Sequence, residues 1–447
     1  MLKKTLVLLL VVGFVMAQAR EAVAQDVSWI SQFGTPGFDL AGDIAVDSND
    51  AYVTGRVGFN FALPGQVSAG GVDTFVRKYD AAGTEVWTRQ FGTSAFDGVS
   101  KIAIHQTSLY VAGITEGTFP GQSSAGSFDI FIRQYDTDGN AGWTRQLGTS
   151  GFDVPLGIAA HATGVYIFGF TTGVFPAQTS AGGSDFFLAK LDFGGTLLWV
   201  RQFGTSGNDP AIFSLGGIAV DDTGVYVGST VPLALPGQSS IGDTDAFLRK
   251  YDHDGIELWT TQFGTACREV LAGVAVHSSG VYVAGATTGK MTDPFFPRCA
   301  NPPIPNNNWG DVMTTFVQRW TADGTVLWSR QYEGSSGFTG FSLAIGLGVD
   351  DTGVFVASEA IRPRNPKALD PACPVGNPAE DIHVRMYDLE GEQRWTQQIG
   401  STASDTPSGI AVNATGVYVA GATFCQLAGQ ISAGSADAVV IKLSPTP

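Results

Sequence analysis

Seven tryptophans recur at one position of a repeating phrase, and that recurrence constrains the chain more than any other feature. The phrase reads WTRQFGTSAFDG at residues 87–98, WTRQLGTSGFDV at 143 and WVRQFGTSGNDP at 199. Its Trp-x-x-Gln core occurs at Trp29, Trp87, Trp143, Trp199, Trp259, Trp328 and Trp395, with Gln32, Gln90, Gln146, Gln202, Gln262, Gln331 and Gln398. The spacings are 58, 56, 56, 60, 69 and 67 residues. A unit repeated at such a period is one supersecondary element that cannot bury its apolar face alone and must stack on its neighbours.

Three further signals fill each unit. A short apolar run follows the phrase, as in GDIAVD at 42, GGIAVD at 216 and SGIAVN at 408. A tight turn leads to a second run, TGVYVGS at 223 or TGVYVAG at 415. After a longer loop comes a third, DTFVRKYD at 73, DIFIRQYD at 129, DAFLRKYD at 245 and DAVVIKL at 437. These runs alternate and are rich in Val, Ile, Phe and Tyr, as strands are. Glycine in YDAAGTEVW and YDHDGIELW supplies the positive φ of a hairpin turn into the next Trp strand. Four strands per unit and seven units predict an all-β chain, a seven-bladed β-propeller with four antiparallel strands per blade. The IAV run becomes inner strand A, VYVAG strand B, the DAFVRKYD-type run strand C and the Trp run outer strand D. In this phase the chain starts on a lone D strand near 27–33 and ends on A, B and C near 408–443. The N-terminal strand is therefore expected to close the last blade, with residues 26–447 as one domain.

Composition agrees with this class and excludes others. Only 15% of residues are charged, 44% are hydrophobic and 58 are glycine. The net charge of −16 repels phosphate backbones and argues against nucleic acid as a partner. Residues 1–25 read as a signal peptide: Lys3 and Lys4, an apolar stretch from Leu6 to Met16, then Ala17-Gln18-Ala19 and Ala22-Val23-Ala24 as cleavage sites. The apolar stretch is short for a membrane span, so no span is expected after cleavage. The expectation is a secreted, periplasmic or cell-envelope protein, and a monomer.

The recurring pattern D-x-F-V-x-K-Y-D…G…W-T-R-Q-F-G-T…D…G-I-A-V-D…G-V-Y-V-A-G resembles the bacterial β-propeller repeat family known as SBBP repeats, over about residues 27–444. The resemblance implies the fold and export. It implies no reaction and carries no catalytic residues.

The repeated polar residues are expected to be architectural. The Trp, with Phe91, Phe203 or Phe263 four residues on, is expected to pack blade on blade. The Gln, which does not titrate, is expected to satisfy backbone groups. Two sets of acids share one face of the ring: Asp39, Asp97, Asp153, Asp209 and Asp405 after the Trp strand, and Asp73, Asp129, Asp185, Asp245, Asp311, Asp381 and Asp437 before strand C. They can bind Ca²⁺ or cap turns, and multiplication across blades favours capping. His105, His161 and His277 end strand A, where Asp47, Asp221, Asp350 and Asn413 stand in other blades, and turn capping again outweighs a metal site. DTDGN at 136 and DHDG at 252 lack the Glu that completes a calcium loop; no HExxH, G-x-S-x-G or phosphate loop is present. No cofactor is expected beyond Ca²⁺ as an option.

An even cysteine count in an exported chain suggests disulfides. Cys267, Cys299, Cys373 and Cys425 all fall on the D–A and B–C loop face, and loop positions suggest Cys267–Cys299 and Cys373–Cys425. The B–C loops of blades five and six break the repeat at 289–311 and 359–381. They bring Phe295, Phe296, Arg298, Trp309, Arg362, Arg364 and Lys367, an aromatic and basic set suited to a glycan or acidic protein partner. The function expected is a non-enzymatic exported binding or protein-interaction scaffold. The alternatives are a glycan hydrolase or lyase with a site at the channel mouth, and a purely structural envelope protein.

Overall fold

The structure is a computed structural model that describes residues 26–210, 215–291, 313–332, 342–361 and 380–444. The leader at 1–25 and the stretches 292–312 and 362–379 of the two irregular loops, with their seven singled-out residues, lie outside the described residues. The described chain forms strands and no helix, arranged as seven four-stranded sheets. Each sheet is a meander of consecutive antiparallel strands, for example Leu40–Val46, Ala51–Val57, Asp73–Tyr79 and Glu85–Phe91 in blade one. This is the seven-bladed propeller that the repeat predicts.

Ring closure follows the expected phase. Blade seven takes strands A to C from Asp405–Asn413, Gly416–Thr423 and Asp437–Leu443, and its outer strand is Val27–Phe33. Trp29 pairs with Lys442, Ile30 with Ile441 and Phe33 with Ala438. Beyond this ladder the Ser444 N–H donates to the Asp26 carbonyl at 3.0 Å, so both chain ends are tied into one sheet.

Tryptophan couples one blade to the next in two ways. The Trp29 ring lies 5.6 Å from the Tyr79 ring of blade one, and Phe91, four residues after Trp87, lies 5.6 Å from the Phe131 ring of blade two. The indole N–H of Trp87 donates to the Thr137 carbonyl at 3.1 Å, that of Trp143 to Phe193 at 2.9 Å and that of Trp328 to Leu389 at 3.0 Å. These acceptors sit in the C–D hairpin of the following blade. The hairpin glycine must be small as well as left-handed: Gly195 has φ +80°, and a Cβ there would sit 2.7 Å from the Trp143 ring. Arginine two residues on repeats the reach, as Arg145 Nε donates to the Gly195 carbonyl at 2.8 Å. Trp395 differs, because in blade seven that hairpin is replaced by the joined chain ends. It is instead fully enclosed by its own blade and the next, with its ring 6.0 Å from that of Phe355.

The glutamines lock the B–C loop onto the outer strand. Gln90 Nε2 donates to the Phe61 carbonyl and to Asp73 Oδ2, while its Oε1 accepts the Leu63 N–H. Its own backbone N–H donates to Gln66 Oε1 at 3.0 Å. Gln146, Gln202 and Gln262 repeat this arrangement with Gln122, Gln178 and Gln238. At the ring closure Gln32 makes it with Gln430. One assignment needs correction. In blade five the position before strand C belongs to Thr314, whose Oγ1 accepts Gln331 Nε2 at 2.7 Å, and not to Asp311, which lies outside the described residues. The longer loop there displaces the count by three residues.

Candidate binding face

The D–A and B–C loops meet on one face, joined by single parallel bridges. Val72 bridges Phe96, Phe128 bridges Phe152, and Phe38 bridges Ala436. The Asp97 N–H donates to the Val72 carbonyl at 2.7 Å and the Asp153 N–H to the Phe128 carbonyl at 3.0 Å. The aspartate that ends each D–A loop is thus fixed, and the residue just before it is held at the surface.

In three junctions that residue is phenylalanine. Phe38, Phe96 and Phe152 form, with Phe59, Phe61, Phe128 and Phe424, an aromatic arc over blades seven, one, two and three. Phe59 is 68% exposed, Phe152 47% and Phe38 42%. The rings touch in two groups, Phe38 with Phe424 at 5.4 Å, and Phe128 with Phe96 at 6.2 Å and with Phe152 at 5.2 Å. Between blades one and two the arc opens into a groove of about 410 Å³, lined by Phe59, Phe96, Phe128, Ile114, Glu116 and small residues. Exposed aromatics grouped on one face, rather than scattered singly, mark a contact surface. Glu116 is the one titratable side chain lining the groove among the described residues. A neighbouring cleft of about 270 Å³ is lined by Leu40, Ala41, Gly42, Gly55, Arg56 and Ser100.

The arc stops at blade four. Asn208 and Arg268 take the phenylalanine position in the next two junctions, in bridges with Ser184 and Thr244. Sequence reasoning passed over the arc because it weighed the repeat's invariant letters. The signal was the variable letter before the aspartate, Phe at 38, 96 and 152 against Asn208, Arg268 and Ser404.

The remaining candidates separate cleanly. Asp47, Asp221, Asp350 and Asn413 accept the backbone N–H groups of the A–B turns, as Asp221 does from Thr223 at 2.7 Å. His161 and His277 meet Thr163 and Ser279 in the same turns. No group of three or more His, Cys, Asp or Glu that could hold a metal exists among the described residues. Cys267 and Cys425 are buried and neither is a free thiol; Cys299 and Cys373 lie outside the described residues. Blade six carries a strongly perturbed acid outside the junctions. Burial, followed by the neighbouring Glu380, pushes Glu359 up to about 7. On the adjacent strand burial and then Arg385 lower His383 to about 4, so it stays neutral. Most repeats have a buried phenylalanine where His383 stands.

No protein-family model matches the chain. Among curated proteins it is similar to the regulatory protein FlaEY of Caulobacter vibrioides, at 28% identity over 184 residues. That match covers 37% of this chain, and only 19% of FlaEY. Among solved structures, an ulvan lyase of polysaccharide lyase family PL25 bound to -[GlcA(1-4)Rha3S]- superposes with a TM-score of 0.52 and 11% identity, covering 93% of this chain and 96% of the other. Another structure of that family gives 0.51 and 12%, over the same shares of the two chains. At such identities the likeness is one of fold.

Proposed function

We propose that this chain is an exported, non-enzymatic interaction scaffold whose contact surface is the D–A/B–C loop face. The observation that carries the reading is the phenylalanine arc with its groove. Phenylalanine offers apolar area and no polar handle, whereas sugar recognition needs placed donors and acceptors. The occupant that fits is an apolar or aromatic segment of another protein. Phe295, Phe296, Arg298, Trp309, Arg362, Arg364 and Lys367 would extend this face on blades five and six. The leader at 1–25, the resemblance to SBBP repeats and the pairing Cys267–Cys299 and Cys373–Cys425 belong to the same reading of a monomeric exported protein.

Peptide and glycan arrays probed with wild type and with a Phe59→Ser/Phe96→Ser/Phe128→Ser variant test it. Wild type is expected to select apolar peptides, and the variant to lose at least about tenfold in affinity, as for the loss of one or two hot-spot aromatics. Peptide binding that is equal in both proteins overturns the reading.

A second reading, a glycan lyase or hydrolase, draws on Glu359, raised by burial and by Glu380, and on the fold shared with the ulvan lyase. It requires turnover of an array glycan that Glu359→Gln abolishes.

A further inference from the structure

Every described carboxylate pair of the repeat is buried at a blade junction. One member opens strand C: Asp73, Asp129, Asp185, Asp245, Asp381 or Asp437. The other ends the following D–A loop: Asp97, Asp153, Asp209, Glu269, Asp405 or Asp39. All twelve are at most 1% exposed. A glycine of the phrase lies between them. A Cβ on Gly204 would sit 2.6 Å from both Asp185 Oδ1 and Asp209 Oδ2, and one on Gly34 2.6 Å from Asp437 Oδ1 and 2.9 Å from Asp39 Oδ2. Two carboxylate oxygens therefore crowd one dry point.

Donors do not account for all these oxygens. Asp73 Oδ2 accepts the Ala69 N–H and Gln90 Nε2, but its Oδ1 has no hydrogen-bond partner, and Oδ1 of Asp129 is alike. Asp97 Oδ2 takes the Thr93 N–H at 2.5 Å and its hydroxyl at 2.9 Å, leaving Asp97 Oδ1 without a partner. Two like charges side by side in low dielectric do not both stay ionised.

We propose that five junctions, those of Asp97, Asp153, Asp209, Glu269 and Asp405, are proton latches in which each carboxylate pair shares one proton in mildly acidic solution and loses it as pH rises. The other two are wired differently. At the ring closure the Gly58 N–H reaches Asp39 Oδ1 at 2.9 Å and supplies a donor from the backbone. Between blades five and six hydroxyls replace the acids, with Thr314 accepting Gln331 and Thr315 bonded to Ser342.

Titration supports the geometry. Burial is the largest influence on all five loop acids and raises them, Asp209 and Asp405 to about 6 and Glu269 to about 7. The charged neighbour acting on each is its partner, Asp73, Asp129, Asp185, Asp245 or Asp381, and it raises the value further. The other facing groups are neutral: the locking glutamines and Thr93, Thr115, Thr149, Thr171, Thr205, Thr265, Thr287, Ser401 and Thr423. A folded value above the unfolded one means the folded state binds more protons between the two. Stability is then present below about pH 4 and falls as pH rises through about 6 to 7. Asp43, Glu359 and Glu380 act in the same direction, and His383 in the opposite one. The turn acids Asp80, Asp136 and Asp192, lowered by hydrogen bonds from Thr84, Asn140 and Thr196, lose their contribution only in more acidic solution.

The test is thermal unfolding of the full chain at about pH 5 and about pH 8, for wild type and for Asp209→Asn, Glu269→Gln and Asp405→Asn, singly and combined. The neutral amides imitate the protonated acid. Wild-type Tm is expected to fall toward pH 8, and each variant to raise Tm there by roughly 1–3 °C while flattening the pH slope. Variants that lower Tm equally at both pH values overturn the latch. So does a Ca²⁺-dependent rise in wild-type Tm that the variants lose, which would place a cation in the pair. Infrared spectroscopy of wild type needs no variant: a protonated carboxyl band is expected at about pH 5.5, where ordinary carboxylates are ionised, and its absence also overturns the proposal. Neither readout depends on what the groove binds.

Discussion

A chain lacking residues 26–33 is expected not to reach the cooperative native state. The deletion removes the outer strand of blade seven, with its ladder to Asp437–Leu443 and the Gln32 lock to Asp437 and Leu427. It also removes Trp29 and Phe33, which pack against Tyr79 and Phe75 of blade one. Closure joins the two ends of the ring, so the lost strand exposes Val440 and Ile441 and the face of blade one together. The combined loss of one strand, two aromatic anchors and a buried polar lock is comparable to a typical total stability of about 5–15 kcal/mol. Circular dichroism during urea unfolding measures it. The shortened chain should be aggregated or unfold without a cooperative transition, and a synthetic peptide of residues 26–39 should restore one in trans. A shortened chain with wild-type cooperativity would mean that blade seven is stable with three strands.

Trp395→Ala is expected to be the most costly of the seven repeat-tryptophan substitutions. Six of these indoles lean on a hairpin glycine of the next blade, five of them partly exposed and Trp87 9% exposed, whereas Trp395 is 2% exposed. It lies in a cluster with Phe355, Ile399, Val417 and Ile441 that spans blades six and seven. Removing a fully buried indole costs about 3–5 kcal/mol through lost transfer energy and the remaining cavity. Trp143→Ala, at a half-buried site, should cost less, although it also leaves the Phe193 carbonyl without its donor. Urea midpoints for the two variants compare them directly. An equal or larger loss at Trp143 would show that the indole hydrogen bond outweighs burial.

The fold was legible because propellers write their period into the chain. Trp, Gln and Gly must recur wherever a blade meets the next, since each junction repeats one packing problem. Even the phase was readable, because the D strand at 27–33 and the A, B and C runs near 408–443 together make one four-stranded unit. The acids at the junctions were seen as capping residues, which they are through Thr93–Asp97 and Ala69–Asp73. Their pairing was hidden, because Asp73 and Asp97 meet only when two loops of different blades fold onto one glycine. Asp311 was misplaced for a simpler reason: an enlarged loop before Thr314 shifts the count, and hydroxyls replace acids there. The aromatic arc was hidden because exposure is not written in one letter. Phe91 and Phe96 are both phenylalanines of the same phrase. Strand alternation buries the first, while the loop bridge to Val72 leaves the second half-buried.

Hydrogen–deuterium exchange with and without a peptide selected on the array tests the central claim that the arc is the contact surface. Protection is expected in the segments around Phe59, Phe96 and Phe128, with the outer Trp strands unchanged. Protection confined to the outer strands, or to 289–311 and 359–381 alone, would contradict it.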